Sequence, residues 1–263
     1  MCTDIMALSN ALVYNGRMRC GSDAVATAQL HLPQLPALAA PPQAGACPPS
    51  WPASLLPAAA WLQAALAPEA RVVFLDTDAA LGCGERVLQD GVVNPGEVRL
   101  VHGLVAALAA AGLPPGHVGV ASPYKAQVAA LQGALTGFTA PAQQQRLEES
   151  GAAGGGVEVL TIDRYQGRDK AAILLSLVRS NSERAAGRLL ADWQRLNVAL
   201  TRARTKLLLV GSAATAGSIP LLAELLRLLA ERPGGVVRLP PDCLEAVPAL
   251  PGAAGAAGTG MER

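Results

Sequence analysis

Two hydrophobic rhythms alternate along this chain. Short, largely apolar runs of strand length occur at Arg71 to Leu75, His117 to Ala121, Val157 to Thr161, Ala171 to Val178 and Lys206 to Gly211. A last, weaker run spans Val236 to Leu239. Runs that are apolar at every position, rather than at alternate ones, predict strands buried on both faces.

Between them the apolar residues recur every three or four positions, which predicts helices. The clearest helix begins at Asn94-Pro95-Gly96-Glu97, where Asn caps, Pro suits the first helical position and Glu97 sits where a capping-box acid belongs. Val98, Val101, Val105 and Leu108 follow on one face, and Gly112 with Pro114 ends it. Lys125 to Leu135 and Asp192 to Ala203 read as further helices, and Leu222, Leu225, Leu226 and Leu229 line a closing one. Buried strands alternating with helices predict an α/β fold: a parallel sheet covered on both faces. Ligands of such sheets are expected beyond the carboxyl ends of the strands.

Three stretches fall outside this pattern. Residues 33–57 form a Pro/Ala-rich insert, 139–156 a Gln- and Gly-rich loop expected to be flexible, and 241–263 a tail expected to be disordered. That leaves 1–32 as the start of a domain and 58–240 as its body. The 263 residues fit one large domain with tails, and 51% hydrophobic content is enough for a sizeable core. No apolar run approaches the roughly 18 residues of a membrane span, so no membrane partner is expected. The start Met1-Cys2-Thr3-Asp4 has no basic segment followed by an apolar one, as a signal peptide would. Five scattered cysteines with no Cys-x-x-Cys pair predict neither a metal site nor a disulfide framework.

The net charge of +1 conceals an asymmetry. From Thr161 to Lys206 there are ten Lys or Arg against four Asp or Glu; the other residues carry 11 basic against 16 acidic. Such a segment is either a footprint for phosphates or a solvated charged face.

The chain has no Gly-Lys dipeptide, hence no phosphate-cradling Gly-x-x-x-x-Gly-Lys-Ser/Thr loop, and no Asp-Glu pair of the magnesium-holding type. It cannot hold and cleave a nucleotide with those parts. What it does have is Val159-Leu160-Thr161-Ile162-Asp163-Arg164-Tyr165-Gln166-Gly167-Arg168-Asp169-Lys170 between two predicted strands. Gly167 would let backbone approach a phosphate, Asp169 could accept from ribose hydroxyls, and Thr161 could donate to a nucleic-acid phosphate. A plain polar loop is the alternative. Gln194-Arg195-Leu196-Asn197-Val198-Ala199-Leu200-Thr201-Arg202-Ala203-Arg204 is either a helix with solvated arginines or a second functional segment.

These segments, in order with Ser122-Pro123-Tyr124-Lys125-Ala126-Gln127 and the run Lys206 to Gly211, resemble the last motifs of superfamily-one helicases. Tyr165 to Lys170, Val178-Arg179-Ser180-Asn181 and Leu190-Ala191-Asp192-Trp193 narrow the resemblance to the eukaryotic DNA replication ATP-dependent helicase/nucleases. It covers most of Met1 to Leu32 and Trp61 to Leu239. The related nonsense-mediated-decay RNA helicases usually carry Glu where Asp169 stands, and the family's Arg at the position of Gln194 is lost.

The resemblance implies a second RecA-like domain. The first RecA-like domain, the nuclease with its iron–sulfur cysteines, and a Gln-Tyr-Arg triplet just before Met1 would all lie upstream. ATP and Mg would be bound mainly by that first domain in cis, and no iron–sulfur cluster would be carried here. Arg202 would be the catalytic arginine finger; Gln166, Gly167 and Asp169 would join it in contacting ATP. Ser122, Tyr124, Thr161 and Arg179 would contact single-stranded DNA. The isolated chain would be inactive. A single-strand-binding protein would be a partner of the parent enzyme, which would work in the nucleus and, secondarily, the mitochondrion. The alternatives are a truncated, non-catalytic fragment and an RNA helicase of the nonsense-mediated-decay type.

Overall fold

A computed structural model describes residues 1–36, 60–138, 155–248 and 250. The expected insert and loop lie mostly outside these residues.

Six parallel strands form one sheet. They are β1 (Val72–Asp76), β4 (Val118–Ser122), β5 (Glu158–Thr161), β6 (Lys170–Ser176), β7 (Ala203–Gly211) and β8 (Val236–Arg238), in the order β5-β4-β6-β7-β1-β8. A separate antiparallel hairpin, β2 (Arg86–Leu88) with β3 (Gly91–Val93), was not expected from the sequence.

Alternation along each strand feeds two cores. On one face Val73, Leu75, Val118, Val120, Leu174 and Leu208 pack under α3 (Ala60–Leu66), α4 (Pro95–Ala110) and α5 (Lys125–Ala134). On the other, Val72, Phe74, Ile173, Leu175, Leu207 and Leu209 pack under α1 (Thr3–Ser9), α7 (Trp193–Leu200) and α9 (Pro220–Ala230). The shorter helices are α2 (Asp23–Thr27), α6 (Gly187–Ala191) and α8 (Ala213–Ala216). Because the central strands are apolar towards both layers, they must be sandwiched, and burial of each Leu or Val contributes roughly 1.5–3 kcal/mol. The fold is α/β, a RecA-like parallel sheet with helices on both faces.

The helix at Asn94 forms as its capping residues require: the Asn94 side chain accepts from the Glu97 N–H at 3.1 Å. The helix from Asp192 ends earlier than the sequence suggested. It stops at Leu200, and Ala203 opens β7 by pairing with Lys170. Of the four leucines assigned to the face of α9, Leu222, Leu225 and Leu229 are buried and Leu226 is partly exposed. Residues 241–248, placed in the tail by the sequence, turn back onto α4. Cys243 and Val247 are buried, and Arg99 Nη2 donates to the Leu244 carbonyl at 2.9 Å.

Candidate functional site

The expected site residues divide between opposite edges of the sheet. Ser122 and Thr161 end β4 and β5, and Arg179 follows the end of β6; these lie at the carboxyl edge. Asp169 precedes β6 and Arg202 precedes β7, so they lie at the amino edge, beside the Lys170–Ala203 pair. The residues expected to contact the nucleotide therefore do not lie beyond the carboxyl ends of the strands. The reason is the link after β5. A single 3-10 turn, Ile162–Tyr165, carries the chain back along the sheet instead of onward into a long helix.

Tyr165 anchors that return. Its ring is fully buried, and its hydroxyl donates to the Glu158 carbonyl at the start of β5, at 2.6 Å. Glu158 also pairs with Arg168 and, at 3.6 Å, with Lys170. Gln166 and Gly167 are thus held exposed at the turn. Gly167 has φ +79°, where a side chain would be strained, and nothing lies within 4 Å of the position a Cβ would take.

At the same edge Arg202 closes an ion pair with Asp169, Nη1 to Oδ1 at 3.1 Å; the side chains are 23% and 44% exposed. Arg202 Nε also donates to the Val198 carbonyl and Nη2 to Thr201 Oγ1, both at 3.1 Å. Its backbone carbonyl accepts from the Lys170 N–H. The amino edge thus presents a guanidinium, a carboxylate and an open glycine turn. That set fits the ribose and outer phosphate of a nucleoside triphosphate. It does not fit a magnesium ion or an iron–sulfur cluster. Among the described residues no group of three or more His, Cys, Asp or Glu could hold a metal.

The carboxyl edge is built differently. Ser122 is fully buried, and its Oγ accepts from the Tyr124 N–H at 3.4 Å, so it shapes the loop rather than facing solvent. Tyr124 is nearly buried; its hydroxyl donates to the Ala186 carbonyl at 3.4 Å, and burial raises its pKa. Arg179 is spoken for: its Nε lies 2.9 Å from Glu85 Oε2. The same oxygen accepts from Ser180 N at 2.8 Å and from Asn181 Nδ2 at 3.0 Å. Thr161 is half-buried at the end of β5.

Glu85 was not singled out in the sequence, and Glu97 only as a cap. Glu97 is in fact a fully buried carboxyl group below the carboxyl edge. Its Oε2 accepts from Ser176 Oγ at 2.6 Å and from Val178 N at 2.9 Å, and its Oε1 accepts from Asn94 Nδ2 at 3.2 Å. Burial pushes its pKa up to about 8 against the opposing effect of these hydrogen bonds. Gln127 joins the network by donating to Ser176 Oγ at 2.9 Å. The signal was present in the helical spacing: Glu97 lies four residues before Val101, on the buried side.

The AAA domain family profile matches residues 1–214. The chain belongs to the AAA domain family. This AAA domain is 41% identical over 221 residues to the DNA replication ATP-dependent helicase/nuclease DNA2 of Mus musculus, covering 84% of this chain and 19% of the relative. It is 38% identical over 244 residues to JHS1 of Arabidopsis thaliana, also a DNA replication ATP-dependent helicase/nuclease, covering 92% of this chain and 16% of that protein. For DNA2 of Saccharomyces cerevisiae the identity is 34% over 232 residues, covering 88% and 14%. The AAA domain is thus homologous to helicase/nucleases of DNA replication, and spans less than a fifth of the length of these curated relatives.

Proposed function

We propose that this AAA domain is the second RecA-like domain of an ATP-dependent DNA helicase/nuclease of DNA replication and repair. The observation that carries the reading is the division of its polar residues between the two edges of one sheet. Arg202, Asp169 and the Gly167 turn share the amino edge; Tyr124, Thr161 and Arg179 share the other. In this reading the amino edge faces the nucleotide and the carboxyl edge the single-stranded DNA.

In this reading Asp169 binds the ribose, while Gln166 and Gly167 lie against the nucleotide. Arg202 stabilises the charge that develops on the transferred phosphoryl group. Its planar, permanently charged fork suits that task, and such a finger contributes a factor of about 10³–10⁵ in rate. The phosphate loop and the magnesium ligands would come from a first RecA-like domain, since this chain has no Gly-Lys dipeptide. The Arg202–Asp169 pair does not obstruct the role. Both side chains are partly exposed, and such pairs are worth at most about 1 kcal/mol, so the guanidinium can leave its partner readily. Single-stranded DNA would run along the carboxyl edge, with Thr161 and Tyr124 beside it and Ser122 shaping the loop. The parent enzyme would act in the nucleus and in the mitochondrion, with a single-strand-binding protein as partner.

Arg202→Ala in the full-length protein tests the assignment. DNA-stimulated ATP hydrolysis should fall by about three orders of magnitude, with single-stranded DNA binding retained. Near-normal turnover would sink it. The 263-residue chain alone should hydrolyse no ATP.

A further inference from the structure

The loop after β6 is pinned along its whole length. Glu97 holds Val178 N, and Val178 sits at φ +71°, a backbone that β-branched residues rarely adopt. Glu85 holds Arg179, Ser180 and Asn181 through one carboxylate oxygen. Asn181 then closes the loop on itself: Oδ1 accepts from Ala185 N at 2.9 Å, and Nδ2 donates to the Ala185 carbonyl at 3.0 Å. Arg184 is also left-handed, at φ +54°.

What this clamp leaves unengaged is informative. Among the described residues, the side chains of Ser180, Ser182 and Arg184 make no hydrogen bond or ion pair. All three line a groove of about 390 Å³ at the carboxyl edge, whose far wall is Asp78 and Ser212. Both Asp78 oxygens are occupied, Oδ1 by Ser212 Oγ at 2.5 Å and Oδ2 by Ala214 N at 2.9 Å. The groove therefore offers two free hydroxyl donors and one free cation, on a loop whose backbone does not need to be ordered on binding. Pre-organisation of this kind lowers the entropic cost of association.

We infer that this groove continues the single-stranded DNA track beyond Tyr124, and that Arg184, with Ser180 and Ser182, is its phosphate contact. The inference rests on the nucleic-acid reading of the carboxyl edge. It moves the cationic contact away from Arg179, whose charge is neutralised by Glu85 at 2.9 Å, to a residue that the family motifs did not single out. The groove is close to electrically neutral, because Asp78 opposes Arg184. Recognition then rests on directed hydrogen bonds to a phosphodiester with one charge, not on a broad cationic field.

The test uses the full-length protein, with oligothymidine as the probe and ATP hydrolysis as the readout. Arg184→Asn removes the charge while keeping a residue that tolerates the left-handed backbone. The oligothymidine concentration for half-maximal stimulation should rise about tenfold, as expected for one charged hydrogen bond. Its logarithmic dependence on salt should become shallower by about 0.7, the contribution of one phosphate on a single strand. Ser180→Ala with Ser182→Ala should raise that concentration without altering the salt slope. An unchanged concentration and slope in Arg184→Asn would overturn the inference and leave the proposed function standing. A wild-type protein with no response to oligothymidine would overturn both.

Discussion

Arg202 and Asp169 are each other's ion-pair partner, 3.1 Å apart across the amino ends of β7 and β6. The two residues assigned to opposite ends of a nucleotide thus neutralise each other in this structure. On the proposed reading, a bound nucleotide competes with that pair for both. Asp169→Asn therefore separates two roles. If the pair is mainly a store for the guanidinium, thermal stability should change by less than about 1 kcal/mol. Steady-state kinetics of the full-length variant should show KM for ATP rising more than kcat falls. A large loss of stability with unchanged KM would make the pair structural.

Gly119 makes a second prediction. A Cβ there would lie 2.4 Å from the Tyr165 hydroxyl and 2.7 Å from Ile173 Cδ1. Gly119→Ala should destabilise the protein by about 1–3 kcal/mol, the usual cost of overpacking a full core. It should also raise KM for ATP, because Tyr165 carries the Gln166–Gly167 turn. Chemical denaturation and ATPase kinetics on the same variant check both halves.

Glu97 gives stability a pH dependence of unusual sign for a carboxylate. Its pKa rises from 4.5 to about 8 on folding, so between those values the folded state holds a proton that the unfolded state releases. Stability should fall as pH rises through that window, by up to roughly 1.4 kcal/mol per pH unit. Glu97→Gln mimics the protonated form and should flatten the profile. Denaturation midpoints from pH 5 to 8 for both proteins decide it.

Lys206 acts in the opposite direction. It is fully buried in β7, its Nζ donates to the carbonyls of Ala67 and Ala70, and desolvation lowers its pKa from 10.5 to about 7. Above pH 7 the unfolded chain holds the extra proton, so stability should rise with pH until about 10.5. Lys206→Met should abolish that rise. A profile from pH 7 to 10 that still climbs in the variant would assign the effect elsewhere.

The central strands were legible because burial on both faces leaves long stretches of them apolar, as in Val72 to Leu75 and Ile173 to Leu175. The β2–β3 hairpin was not, because Val87 and Leu88 are exposed and its turn is the two residues Gln89-Asp90. The α7–β7 boundary was blurred because Ala203 is buried and satisfies a helical spacing from Leu200 as well as a strand. In the candidate site, residue types were legible and their placement was not. Nothing in Asp163-Arg164-Tyr165 signals that one short turn brings Asp169 to the far edge from Thr161. Likewise Arg179 looks like a free cation until Glu85, distant in sequence, is found beside it.

The division of polar groups between two edges also bears on how force would pass through the domain. Asp169 and Arg179 are separated by β6, whose seven residues span about 20 Å and are hydrogen-bonded to strands on both sides. A close-packed sheet of this kind barely compresses. A displacement at one edge would then reach the other as rotation of the whole body, with little lost to internal strain. The sheet would act as a stiff lever.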